Sequence, residues 1–206
     1  MDMELDFGQY YEIGFNTQLI EVFQAIRAYL FTLEELEKCQ GPFGDEAPLR
    51  ELADQRNLIQ HSLLSLPSVE QVPGCYSKSL LLYEACRISG LIFSVGVVFP
   101  IPYEAAPLAS LMRLLKLELQ RIPQSRCQSA CAKGVLIWML VLGGITAIDT
   151  QERYWFVHEL RTMAETSSVC EWSQLKRILK RILWLDGACD IAGQELWDEV
   201  KSSRLS

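Results

Sequence analysis

The chain has 206 residues, half of them hydrophobic, with 26 acidic against 19 basic side chains and a net charge of -7. A chain of that length can bury about 70% of its unfolded surface in one sizeable core, while the acidic balance argues against holding a phosphate backbone, which rests on clustered Lys and Arg. Seven cysteines scattered from Cys39 to Cys189 fit reduced, mostly buried thiols rather than a disulfide framework, and the acidic start MDMELDF lacks the basic and apolar regions of a secretory signal.

Eight segments read as helices and nothing alternates with the period of a strand. The expected fold is therefore all-α, a single-domain bundle of about eight helices with two strongly apolar core helices. Residues 1–16 are expected as an N-terminal tail, and residues 17–206 as the helical domain. The first helix, Thr17 to Lys38, aligns Leu19, Val22, Phe23, Ile26, Tyr29, Leu30 and Leu33 on one side and stops at the Gly41-Pro42 pair. Pro48 opens a more polar helix that runs to Ser65, as Pro favours the first turn. A third helix spans Ser77 to Phe99, its second half nearly all apolar before Pro100 and Pro102 end it. The fourth, Pro107 to Ile122, carries a stripe of Leu108, Leu111, Leu115, Leu119 and Ile122.

Val135 to Ile148 has no charge and falls short of the roughly 20 apolar residues that cross a bilayer, so a buried core helix is expected. The same argument covers Ile88 to Phe99, and no membrane partner is expected. Asp149 and Glu152 have the spacing of a capping box, so the chain turns there and starts a new helix, Thr150 to Glu165, with Phe156, Leu160 and Met163 inward. Two packed antiparallel helices follow from this pattern.

The last two helices are Glu171 to Leu185 and Ala188 to Lys201. The first places Lys176, Arg177, Lys180 and Arg181 together opposite its apolar face, and the second places Asp190, Gln194 and Asp198 outward. A solvated basic face is expected rather than a nucleic-acid patch, with the acidic helix available to pair with it.

Candidate chemistry is sparse. Cys127 and Cys131 could supply two zinc ligands from adjacent turns, but a structural site needs four and no second pair lies nearby. Asp186, Asp190 and Glu195 could hold magnesium in an isoprenoid-type enzyme, yet such sites need oxygens converging from more than one helix. Asp186 reads instead as the N-cap of the last helix, and Asp190 as part of its wet face. His61 and His158 sit in no nucleophile arrangement, and His158 is expected to be buried or interfacial. No P-loop, GxSxG or dinucleotide glycine pattern occurs.

The residue order through the apolar hairpin, Trp138, Gly143 or Gly144, Ala147, Asp149, Arg153 and Trp155, resembles the second class of fungal-specific transcription factor domain, most clearly over residues 80–200. In that family the helical region lies C-terminal to a binuclear zinc cluster that binds DNA. The six closely spaced cysteines of such a cluster do not occur here, so the resemblance implies the regulatory half alone, with no cofactor in this chain and no direct nucleic-acid binding. It implies a non-catalytic role in regulating transcription by RNA polymerase II, a location in the nucleus or in nucleus and cytoplasm, contacts with transcription machinery or co-regulators, homodimers in many members, and a small apolar effector in some. Trp138, Met139, Gly143, Gly144, Trp155 and Trp184 are the residues expected to line an effector pocket. A free-standing helical scaffold protein is the alternative.

Overall fold

The computed structural model describes residues 8–38, 47–69, 80–100, 107–123 and 128–202. Among them are nine α-helices and no strand: α1 (Gly8–Glu12), α2 (Thr17–Lys38), α3 (Ala47–Ser65), α4 (Leu80–Phe93), α5 (Leu108–Arg121), α6 (Ala130–Thr146), α7 (Glu152–Thr166), α8 (Trp172–Lys180) and α9 (Asp186–Ser202). The all-α expectation holds, and α2 has the bounds that its apolar stripe predicted.

The expected N-terminal tail is packed from Tyr10 onward. Tyr10 and Phe15 are buried and stack at 5.6 Å between ring centroids, a turn made possible by Gly14 at φ 99. Asn16 then caps α2 by accepting from the Leu19 amide at 2.8 Å.

The long third helix departs from regularity near its end. α4 passes into one π turn, Ser94–Val98, with the Phe99 amide bonded to the Ser94 carbonyl at 2.7 Å. Pro100 disfavours helical backbone at Phe99, and the ladder stops there. Residues 77–79 lie outside the described residues. The joined segment Leu81–Val98 is long and apolar enough to cross a membrane, beyond what the shorter run from Ile88 suggested, but 67% of it is buried inside the protein. It packs on α3, α5 and α6, as a core helix does.

α6 is the centre. Ser129 caps it by accepting from the Ala132 amide, and 12 of its 17 residues are buried, so it is enclosed on all sides. It touches α4, α5, α7, α8 and α9. The Asp149 capping box does not form. Asp149 adopts φ 59 in the turn after α6, and α7 begins at Glu152 behind Gln151, which makes no side-chain cap. Asp tolerates that left-handed position, so it serves the turn instead of the helix start. A capping box occurs at α8, between Glu171 and Gln174.

α8 is shorter than expected. Its ladder ends at Lys180, and Ile182, Leu183, Trp184 and Leu185 are all buried. Four consecutive buried residues break the period of an amphipathic helix, and the chain leaves helical geometry to bury them. Leu185 then accepts from the Cys189 amide at 2.9 Å and so takes the N-cap place expected of Asp186, which lies in the first turn of α9.

Candidate functional site

Trp138 stands at the crossing of the helices. It is fully buried, its indole nitrogen donates to the Leu183 carbonyl at 2.7 Å, and its ring meets Phe23 edge-on at 5.7 Å and Phe93 at 6.4 Å. One indole thereby joins α2, α4, α6 and the chain after α8. Met139 beside it is equally buried.

The glycines expected to open a pocket are filled by neighbours. A β-carbon on Gly143 would come within 2.2 Å of the Phe156 ring, and one on Gly144 within 2.7 Å of Leu196. These glycines therefore let α7 and α9 approach α6 closely. Trp184 likewise packs edge-on against Trp172 at 6.2 Å over Gly193, and its indole nitrogen donates to Asp190 at 2.9 Å. The pocket expectation is corrected for five residues: Trp138, Met139, Gly143, Gly144 and Trp184 belong to packed core, because aromatic and leucine side chains occupy the space the glycines leave.

Trp155 alone of the six borders open space. A groove of about 560 Å³ lies among α5, α6 and α7, a volume inside the roughly 300–1,000 Å³ of small-molecule sites. α6 contributes Leu136 and Leu140, α5 contributes Leu119 and Ile122, and α7 contributes Trp155, Glu159 and Met163. Gln128, Lys133, Thr162 and Thr166 complete the lining. The Arg113–Glu152 ion pair at 3.3 Å and the Lys116 ammonium 5.7 Å above the Trp155 ring tie the middle of α5 to the N-terminal end of α7. Hydrogen bonding and the Arg113 guanidinium hold the Glu152 carboxyl below its usual range: its own backbone amide first, then Arg113 and Thr150.

Along α7 the lining residues recur at 155, 159, 162, 163 and 166. That is one helical stripe, and its mixture of Trp, Met, Thr and Glu beside the fully apolar stripe of Phe156 and Leu160 is the signal that sequence reasoning passed over. The contribution of α5 had no such signal, since Leu119 and Ile122 read as ordinary core.

The acidic pair near the C-terminus is an ion-pair cluster. Lys176 reaches Asp190 at 2.5 Å and Asp186 at 3.0 Å, and Lys180 reaches Asp186 at 2.8 Å. Burial raises the Asp186 pKa, but hydrogen bonds and charge from Lys180 and Lys176 outweigh it and leave the carboxyl below its usual range. Asp190 is thus half-buried beneath Trp184 rather than on a wet face, and two of the four cations on the basic face pair with the acidic helix as expected. Glu195 is exposed. His158 is also exposed, 3.5 Å from Glu159, because it falls on the outer side of α7. Among the described residues no three His, Cys, Asp or Glu side chains gather as a metal site. Cys127 lies outside them. Cys131 is half-buried, and burial raises its thiol pKa.

Arg153 closes the hairpin. It donates to the Gly144 carbonyl at 2.7 Å and to Glu199 at 2.8 Å, so one guanidinium binds the end of α6, the start of α7 and α9. A family model described as the fungal specific transcription factor domain matches residues 13–183, a span that contains this hairpin and the groove. No curated protein and no solved structure matches the chain.

Proposed function

The chain belongs to the fungal-specific transcription factor domain family, and on that premise we propose that it is a non-catalytic regulatory domain controlling transcription by RNA polymerase II in the nucleus. It acts by contacts with co-regulators or transcription machinery, and a small apolar effector bound among α5, α6 and α7 biases those contacts. The observation that carries this reading is the family match across residues 13–183, which includes every element of the groove. The acidic charge supports division of labour: with a net charge of -7 the chain is unsuited to hold DNA itself, so a separate module reads the sequence.

The groove, rather than the glycine-bearing core, supports the effector part. Filled space cannot admit a ligand without repacking a dense interior, whereas the groove already has ligand size and a mixed lining. No cofactor is needed for this role. Zinc would belong to the DNA-reading module.

The test is a fusion of the chain to an unrelated DNA-binding domain upstream of a reporter in a fungal cell. Reporter output should differ severalfold from that of the DNA-binding domain alone, and the fusion partner should be nuclear when directed by this chain. Output equal to the unfused control would reject the regulatory reading and favour a free-standing scaffold protein.

A further inference from the structure

The groove is polarised along its length, and that polarity names a ligand class. At the Trp155 end, Lys116 over Trp155 and the Arg113–Glu152 pair join α5 to α7. Between the ends, the apolar lining is recessed: Leu136, Leu140 and Leu119 are 5%, 4% and 8% exposed, and Trp155 and Met163 are half-buried. At the other end stand Gln128, Lys133, Thr162 and Thr166. From Trp155 to Thr166 the helix advances about 16 Å. Such a shape takes an elongated molecule with an apolar body and one polar end.

The charge of that end follows from what faces the groove. Among the described lining residues only Lys133 and Glu159 are charged. Glu159 lies in the middle, two turns of α7 from Thr166, and has His158 at 3.5 Å. Lys133 lies at the polar end, where among the described residues its ammonium makes a single hydrogen bond, to the Thr166 carbonyl at 3.5 Å. That contact is long, and an ammonium has three donors, so the group can take an anionic partner without breaking a strong bond. The threonine hydroxyls can rotate toward the same head group. A cationic head would meet Lys133 unfavourably, and a co-regulator helix would find the apolar residues recessed rather than presented.

We propose that the groove among α5, α6 and α7 binds an amphipathic monocarboxylate of fatty-acid type, its chain on Leu136, Leu140 and Met163 and its carboxylate on Lys133. This deepens the effector reading of the same groove and names its ligand chemistry. Binding by the purified chain is measured without transcription, so failure here leaves the regulatory role standing, and failure of the reporter leaves a binding result standing.

The experiment is calorimetric titration of the purified chain with decanoate, decanol and decyltrimethylammonium, each below its micelle concentration. Decanoate should bind roughly fivefold more tightly than decanol, as a partly screened ion pair implies, and the trimethylammonium compound weakest. Lys133→Met should bring decanoate to the level of decanol and leave decanol unchanged. Thr162→Trp fills the mouth from an exposed position that gives up only a surface hydrogen bond to the His158 carbonyl, and should abolish binding of both while the thermal unfolding midpoint stays in place. Equal affinity for the three head groups, binding unaffected by Thr162→Trp, or no binding of decanoate would each overturn the proposal.

Discussion

Arg153 and Gly144 are joined by a 2.7 Å hydrogen bond from guanidinium to carbonyl, made across the turn between α6 and α7. The last carbonyls of a helix have no partner within it. Gly144 lies buried in the last turn of α6, where its carbonyl takes only the Ala147 amide at 3.2 Å; Arg153 adds a shorter, charged bond while its Nε holds Glu199 on α9.

Arg153→Met should therefore destabilise the fold by about 1.5–3 kcal/mol, the range for a hydrogen bond from a charged group. Glu199→Gln should cost under about 1 kcal/mol, since that carboxylate is 39% exposed. Urea unfolding of the two variants and their double mutant measures both. Equal losses at the two positions would show that the carbonyl contact is not the stronger one.

Two glycines separate packing from backbone effects. Gly143→Ala drives a methyl group to 2.2 Å from Phe156 and should destabilise by about 1–3 kcal/mol. Adding Phe156→Leu should recover part of that loss. Gly96→Ala meets nothing within 4 Å and should be neutral or stabilising by up to about 1 kcal/mol. Chemical denaturation midpoints rank the three, and a Gly143→Ala variant as stable as Gly96→Ala would contradict the close approach.

Ser168 ends α7 in the left-handed region at φ 55, with the Val169 amide returning to the Ala164 carbonyl at 2.9 Å and Val169 itself buried. Glycine suits that position because it has no β-carbon to clash. Ser168→Gly should raise stability by about 0.5–1 kcal/mol, read as a higher thermal midpoint. A lower midpoint would mean that the serine contributes more than its conformation costs.

The Lys176–Asp186–Lys180 cluster makes stability depend on pH. Asp186 titrates below its ordinary value of 3.8 in the folded chain. A depressed carboxylate contributes stability that is fully present above the unfolded value and is lost as pH falls through the folded one. The contribution should be under about 1 kcal/mol, because the Asp186 side chain is 40% exposed and solvent screens it. Unfolding free energies of the native chain and Asp186→Asn, measured from neutral pH down past 3.8, should differ at the upper end and converge at the lower. A gap that stays constant across the range would remove the ion pairs as its cause.

Much of the fold was legible because apolar spacing and helix punctuation are local. The stripe from Leu19 to Leu33 has a helical period, and α2 keeps the bounds it implies. The charge-free run after Val135 required an enclosed helix, and α6 is one. The residue order around Trp138 and Arg153 pointed to the family that the match over residues 13–183 shows. Boundaries set by distant partners were not legible: α8 stops short so that four apolar residues can be buried, one of them beneath the indole of Trp138.

Sequence alone thus determined that this is an all-α, acidic chain built around two apolar helices, and to which family it belongs, since composition, period and residue order lie along the chain itself. Tertiary structure decided where space remains. A glycine marks either a cavity or a close contact depending on what arrives opposite it, and here Phe156 and Leu196 arrive at Gly143 and Gly144. The open volume lies instead where α5 and α7, distant in the chain, meet at one end over α6.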